Sequence, residues 1–392
     1  MDRVPGVSFR ARVVLAAVLA VVVAACVPPA PPSAGPAGPA TAITAGGAHS
    51  CAVVDAGKVR CWGFNTHGQL GLGGYGDIST PFAVVGLTGQ TAVAASKSDT
   101  CSLSSTGTVS CWGLNLDGQL GNGTNVGAIT PVSVLTVTGA TSIAVGDAHA
   151  CALVAAGAVK CWGSNAKGQL GDGSTTDSNT AVDVADVSGA TAISAGGQHS
   201  CALIDDGTVK CWGSNVYGQL GIASFVNSST AVQVGDVAGA TAISAGGGYT
   251  CAIVAAGAVK CWGLNNFGAL GDGTNNGSNV AIDVAVVTGA TAIGTSHSLL
   301  AHTCVLVAVG KAMCWGFNGD GELGNGSTDD SFTATDVGAA VTGATALAVG
   351  DSHSCALVAG GSVLCWGLNS TGQLGDGDTN PIGIPINVQN IP

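Results

Sequence analysis

The triplet Cys-Trp-Gly occurs seven times in this chain, centred on Trp62, Trp112, Trp162, Trp212, Trp262, Trp315 and Trp366. The intervals are 50, 50, 50, 50, 53 and 51 residues, and every Trp of the protein lies in the triplet. A period of that length means one supersecondary unit copied along the chain, each copy burying its faces against its neighbours. The 392 residues therefore need not divide into two or three unrelated domains. The unit beginning at Thr191 holds four short strand-like stretches, Ala192–Ala195, Cys201–Ile204, Thr208–Trp212 and Ala231–Val234, separated by Gly- and Asn-rich turns. Four antiparallel strands per unit, repeated seven times, predict an all-β, seven-bladed β-propeller of about 50-residue repeats. A parallel β-solenoid is the alternative, although its coils are usually shorter and lack a tight hairpin. Composition agrees with thin stacked β-layers. Charged residues are only 9%, hydrophobic residues 46%, and there are 63 Gly for tight turns and close approach.

The N-terminus reads as an address. Arg3, Arg10 and Arg12 precede the apolar run 13–25, and Cys26 follows. This is the order of a secretory signal, and thirteen apolar residues fall short of the roughly 20 that span a bilayer. Val23-Ala24-Ala25-Cys26 resembles a bacterial lipobox, which implies cleavage before Cys26 and diacylation of its thiol. An ordinary signal peptide with an incidental Cys is the alternative. The expected organisation is a lipoprotein signal peptide at 1–25, a Pro/Ala/Gly tether at 26–40 and the propeller at 41–392. The protein is expected outside the cytoplasmic membrane, lipid-anchored at the cell envelope or surface. Cleavage leaves 8 basic and 22 acidic side chains. Such a surface lacks the clustered Lys and Arg that phosphates require, so no nucleic-acid partner is expected.

Of the 15 Cys, fourteen form pairs ten residues apart: Cys51 and Cys61, Cys101 and Cys111, Cys151 and Cys161, Cys201 and Cys211, Cys251 and Cys261, Cys304 and Cys314, Cys355 and Cys365. The odd one is Cys26, which lipidation explains. A three-residue loop such as Asp205-Asp206-Gly207 sets 204 opposite 208 and hence 201 opposite 211, within disulfide reach. Each closed loop would stabilise by roughly 2–3 kcal/mol in the chain-entropy model. The alternative of metal binding lacks further ligands, and no metal is expected.

The segment Gly163-Ser164-Asn165-Ala166-Lys167-Gly168-Gln169-Leu170-Gly171 resembles the signature of the regulator-of-chromosome-condensation repeat. The preceding pattern His-x-Cys-Ala-Leu-x-x-x-Gly-x-Val-x-Cys-Trp-Gly is similar to that family as well. The likeness covers about 350 residues, with Ala269 and Glu322 replacing Gln in two repeats, and it implies a seven-bladed propeller. The family's founding activity, guanine-nucleotide exchange on a small GTPase, is one functional reading. It depends on an inserted β-wedge, and the largest insertion here is three residues. The cysteine pair is not typical of the family and fits an oxidising compartment.

Five repeats place His two residues before the first Cys: His49, His149, His199, His302 and His353. Asp99 and Tyr249 replace it in the other two. A ring of imidazoles would suit a metal or anion, whereas a repeated turn cap bonding its own backbone is the simpler reading. The loops at Asp172 and Asp272 hint at calcium but lack the ligand spacing of a calcium loop. The Gly-rich segments lack the Lys and helix of a phosphate cradle.

No nucleophile–base–orienter set stands out, so a hydrolase or lyase is the weaker enzymatic reading. The reading adopted is a monomeric, non-enzymatic scaffold, with no cofactor, that binds a protein, peptide or glycan. The first and third loops of each repeat share one face. Tyr217, Phe225, Tyr249, Phe267, Leu299 and Leu300 fall there in repeats four to six and form the candidate binding face. Inward packing of these side chains beneath the loops is the alternative. Two further expectations concern packing: the Trp residues lie between blades, and the ring closes through a blade shared by strands 42–45 and 384–388.

Overall fold

The computed structural model describes residues 37–338 and 341–391. The expected leader and Cys26 lie outside these residues. Seven four-stranded antiparallel sheets follow one another along the chain, spanning residues 42–83, 90–133, 142–183, 190–233, 242–283, 292–336 and 344–387. They form a seven-bladed β-propeller, and the solenoid alternative falls because each sheet is an antiparallel meander of one repeat. In blade 4 the strands are Ala190–Ala195, His199–Ile204, Val209–Gly213 and Ser228–Gln233. The first strands line an axial cavity of about 240 Å³ walled by small and branched residues such as Ile43, Ala45, Ile193, Ala195 and Val349.

The tight second hairpin sets the register. In blade 4, Ile204 N–H donates to Thr208 and Gly207 N–H to Ile204. Cys201 therefore stands directly opposite Cys211. All fourteen blade cysteines are opposed and disulfide-bonded in this way, with Cα–Cα distances of 4.0–4.1 Å. This is the close, non-hydrogen-bonded pair of an antiparallel ladder.

Each Trp packs on the preceding blade. Trp262 of blade 5 sits in one core cluster with Cys201, Leu203, Leu220 and Val234 of blade 4. Gly221 holds φ +66°, and a Cβ there would stand 2.9 Å from the Trp262 indole nitrogen. The last Gly of Gly-Gln-Leu-Gly is thus the floor on which the next Trp lies. The rest of that motif shapes its long loop. Asn215 accepts from Leu220 N–H and donates to the Ser224 and Val226 carbonyls, while the Gln219 side chain accepts from Tyr217 N–H.

Polar groups complete each seam. All seven Trp donate Nε1–H, at 2.7–2.9 Å, to the backbone carbonyl of residue 69, 119, 169, 219, 269, 322 or 373 in the preceding blade. A hydroxyl of the same later blade donates to that carbonyl at six seams: Ser50, Thr100, Ser200, Thr250, Thr303 and Ser354. With its only hydrogen committed, the hydroxyl accepts from His Nε2–H of the earlier blade. The distances are 2.8–2.9 Å for His49, His149, His199, His302 and His353. The histidines therefore bridge blades, and the expectation that each caps its own turn is corrected. Burial pushes their pKa values down to about 3, or about 4 for His353, so they stay neutral. As pH falls from 6.5 toward 3 the unfolded chain gains protons that the folded chain refuses, and stability declines.

Two seams depart, each for a visible reason. Tyr249 reaches across to the His302 carbonyl at 2.7 Å and to the Thr303 hydroxyl at 3.0 Å. At the seam between blades 2 and 3 the hydroxyl is missing, because Ala150 holds its position. Here Asp99 replaces His and accepts from Ser96 at 2.5 Å. Burial holds its carboxyl well above the usual range. Ser96 itself stands where five blades carry Gly, and a Cβ at Gly196 would meet the His199 ring at 2.6 Å; Ser296 is the other exception, set apart from His302 by the three-residue insertion and accepting from its N–H. Ser96, Asp99 and Ala150 are one linked departure.

Ring closure repeats the ordinary seam. Blades 1 and 7 are each built from a single repeat, which corrects the expected shared blade. His353 meets Ser50, and Trp62 meets the Gln373 carbonyl, as at interior seams. Outside it, Ala40 N–H donates to Gly361 and Ala37 N–H to Asn390, both at 2.9 Å. Ala37 and Ala40 pack in one core cluster with Val388 and Ile391. Among the described residues, contact with the disc is already present at Ala37, four residues before the expected boundary at 41.

Two outcomes test these seams. Asp99→His alone should cost about 2 kcal/mol or more, since the imidazole meets the Ser96 side chain and finds no hydroxyl. Adding Ser96→Gly and Ala150→Ser should recover most of the loss in thermal melts. Glu322 carries the second test. Burial raises its carboxyl from 4.5 to about 7, so its contribution is present below pH 4.5 and lost as pH rises through 7. Glu322→Gln should stabilise by about 1–2 kcal/mol at pH 8, with no gain near pH 4.

Candidate functional site

The seven loops between first and second strands surround one mouth of the axial cavity. The residue after the seam Gly or Ser is Gly47, Lys97, Asp147, Gly197, Gly247, His297 or Asp351 in successive blades. Where the core repeats, this ring does not: three positions bear charge, one an imidazole and three no side chain. Lys97 Nζ bonds Asp147 Oδ2 at 2.6 Å across neighbouring blades. Burial opposes the Lys97 charge, but Asp147 and then Asp351 outweigh it and hold the ammonium above its usual range. Burial raises the Asp351 carboxyl, against the pull of Lys97 and His297. Asp147 Oδ1 and Asp351 Oδ1 have no hydrogen-bond partner among the described residues.

Beside this cluster lies a pocket of about 190 Å³, lined by Lys97, Asp147, Gln198, Ser214, Tyr217, Gln219, His297 and Leu299 along with Gly197 and Gly247. It exists because side chains are missing. Gly197 and Gly247 leave the mouth open on blades 4 and 5. Ser214 follows the Cys-Trp-Gly of blade 4, where Phe64, Leu114, Leu264, Phe317 and Leu368 follow it elsewhere and Ser164 is the other exception. Ser214 is 1% exposed and its hydroxyl has no hydrogen-bond partner among the described residues.

The candidate face is thus divided. Tyr217, 39% exposed, and Leu299, 50% exposed, line the pocket together. Phe225 and Leu300 are exposed outside it. Tyr249 is fully buried as the seam bridge described above, which corrects its placement on a binding surface. Phe267 is half-buried edge-on against Phe317, with centroids 5.2 Å apart. The expectation overlooked Lys97, Asp147, Ser214 and Asp351. Their signal was available: each departs from its repeat-equivalent residues toward charge or toward a smaller side chain. The loops that hinted at calcium turn their carboxylates inward, Asp172 accepting from Asn165 and Ser174, and Asp272 from Asn265 and Thr274.

Comparison with known proteins gives the following likenesses. Residues 23–300 match the model of the RCC1-like domain. Residues 344–373 and 360–392 match two models of the Regulator of chromosome condensation (RCC1) repeat. The ultraviolet-B receptor UVR8 of Arabidopsis thaliana is 38% identical over 81 residues, which span 20% of this chain and 18% of that receptor's length. The crystal structure of human WBSCR16 superposes with a TM-score of 0.76 at 23% identity, over 85% of this chain and 94% of that one. Yeast RCC1 (Prp20), solved bound to Kap60, gives 0.74 at 20% identity, over 85% and 83%. At these identities the solved structures speak for the fold alone.

Lys97→Met should leave Asp147 and Asp351 facing each other without a counterion. The pair is partly exposed, so the expected loss is about 0.5–1 kcal/mol at pH 7. Thermal melts should show the loss shrinking as the pH falls and the Asp351 carboxyl, raised by burial, takes up its proton, and recovered in part by Asp147→Asn.

Proposed function

The chain belongs to the RCC1-like domain family, and from that premise we propose that it is a non-enzymatic scaffold that binds a protein partner through the mouth-bearing face of the disc. The observation that carries this reading is the local loss of symmetry. Seven copies keep the seam nearly constant, yet the mouth holds Lys97, Asp147, His297 and Asp351 at equivalent positions, and Leu299 and Leu300 stand exposed in the three-residue insertion beside it. A charged ring flanked by exposed apolar side chains is the composition of a recognition surface. Yeast Prp20, of the same fold, was crystallised with a protein partner, which supports a protein as ligand here.

The location belongs to the same proposal. Fourteen of the 15 Cys are closed in blade disulfides, an economy suited to an oxidising compartment. The remaining Cys26 ends the lipobox-like run, and lipid there would hold the disc at the envelope through the Pro-rich tether. Outside the cytoplasm a guanine-nucleotide exchange role would have no small GTPase to act on.

Mass spectrometry of the mature protein should find an acylated N-terminal Cys26, and Cys26→Ala should release the protein from membranes. Cross-linking on intact envelopes should then join the wild type to a discrete protein. Leu299→Asp with Leu300→Asp should abolish that adduct, while Asp205→Lys on the opposite face should leave it. An unmodified, soluble wild type overturns the anchoring. Loss of the adduct only with Asp205→Lys overturns the choice of face.

A further inference from the structure

We propose that the disc rests on a lipid surface through an arc of its hairpin face, the tips of blades 5, 6 and 7, which leaves the mouth pointing away from the bilayer; this rests on the proposed lipid anchor at Cys26. The hairpin tips and the linkers between blades lie opposite the mouth, because the first and third loops occupy the other end of each meander. The chain enters the disc on the hairpin side. Ala40 N–H donates to Gly361 in the blade 7 hairpin, and Gly38 N–H donates to Asp55 in the blade 1 hairpin. Pro39 lies against Gly361, where a Cβ would collide with it. Eleven residue steps separate Cys26 from Ala37, a reach of at most about 40 Å. Turning the mouth to the membrane would use up that reach in climbing past blade strands of about 20 Å and the loops above them.

Two side chains on this side stand where neither backbone preference nor core packing accounts for them. Val309, at the tip of the blade 6 hairpin, is 90% exposed with φ +61°. Val286, in the linker leaving blade 5, is 77% exposed with φ +69°. That linker runs down to Gly289, which packs on the blade 5 hairpin at Gly257. A β-branched residue is an outlier in the left-handed region. Blades with the same tip conformation carry Ala156, Ala256 or Gly360 in place of Val309, and the described equivalents of Val286 are Gly or polar, as in Gly86, Asp186 and Asn390. Valine is therefore unfavourable at both places twice over, in its backbone and in its contact with water. A surface that takes it out of water offsets both, and strain of this kind persists where function holds it.

Charge draws the edge of the arc. Its tips are Ala255-Ala256, Ala308-Val309 and Ala359-Gly360, all exposed. Asp283 and Asp336, at the ends of the outer strands there, are each paired at 2.7 Å with Lys260 and Lys311. Blade 4 stands across the ring from the seam of blades 7 and 1, where the tether enters. Its tip and linker hold Asp205, Asp206 and Asp236, all exposed. An anionic lipid surface repels that sector, so the disc tilts onto the uncharged tips beside the tether. Shape favours lipid over a protein partner. Protein interfaces draw their affinity from Trp, Tyr and Arg seated in fitted pockets, whereas this arc offers Ala and Val on protruding tips. A bilayer interface accepts apolar area without a fitted shape.

The test uses the mature protein on vesicles of phosphatidylcholine and phosphatidylglycerol with brominated acyl chains, which quench only indoles that reach the lipid. The seven native Trp are at most 1% exposed and give a constant background. Ala359→Trp on the arc should be quenched at least twofold more than Asp205→Trp on the blade 4 tip, and Leu116→Trp on the mouth face should not be quenched. Val286→Asp with Val309→Asp should reduce the quenching of Ala359→Trp at least twofold. Asp occupies the left-handed region at Asp186 and Asp236, so the melting temperature should not fall, which separates lost docking from lost folding. Flotation with the vesicles reports the anchor independently. Protein that floats with no probe quenched, with Leu116→Trp quenched most, or with Val286→Asp and Val309→Asp without effect overturns the docking and leaves the anchor standing. Protein that does not float overturns the anchor. The same probes, read after a maleimide-bearing phospholipid is coupled to the Cys26 thiol, then decide the docking face by the same criteria.

Discussion

A single backbone carbonyl per seam organises this disc. In each blade the carbonyl at the Gln position of Gly-Gln-Leu-Gly receives the Trp indole N–H of the next blade, and at six of seven seams a hydroxyl as well. Because the acceptor is main chain, the side chain at that position is free to vary. Ala269 and Glu322 replace Gln, yet their carbonyls still take Trp315 and Trp366. The indole packs into the apolar core cluster of the preceding blade. The carbonyl fixes where along the blade that burial occurs, so each blade is added to the last at the same height and rotation.

The histidines follow from the same geometry. An imidazole can be buried here because the hydroxyl on the next blade accepts its Nε2–H, and in a loop of ordinary length it fits only above a residue without Cβ; in blade 6 the three-residue insertion lets His302 stand with Ser296, whose hydroxyl accepts from the His302 N–H. Where one of these conditions fails, as with Ser96 and Ala150, the histidine is gone and Asp99 takes its place. This is why the substitutions in that repeat cluster. They answer one another across two blades, although they are about fifty residues apart in sequence.

The proposed binding face falls where the repeat is least regular. A rotationally symmetric ring of identical loops offers any ligand seven equal and shallow contacts. The mouth escapes this by placing Lys97, Asp147, His297 and Asp351 at equivalent loop positions and by removing side chains at Gly197, Gly247 and Ser214. The pocket is made by subtraction from the consensus, while the rigid frame beneath it, stapled by one disulfide per blade, stays intact.

The sequence by itself determined the number of blades, the antiparallel meander, the opposition of each cysteine pair and the burial of the Trp residues. All of these depend on local spacing: a fixed period, a three-residue hairpin and strands whose faces alternate. Tertiary structure alone decided what joins blade to blade and where the site lies. Whether His199 caps its own turn or reaches Thr250 depends on a neighbour fifty residues away. The same holds for Tyr249, a plausible surface aromatic from its loop position, whose phenol is drawn inward by the His302 carbonyl of blade 6. Matching strand-like segments at the two ends fit a shared blade or two separate ones, and only the pairing of 42–45 and 382–387 each within its own four-stranded sheet selects between them. The pocket needs Lys97, Asp147, Ser214, Tyr217 and Leu299 from four different blades. No stretch of sequence holds that combination, since it is the curvature of the ring that brings these side chains to one mouth.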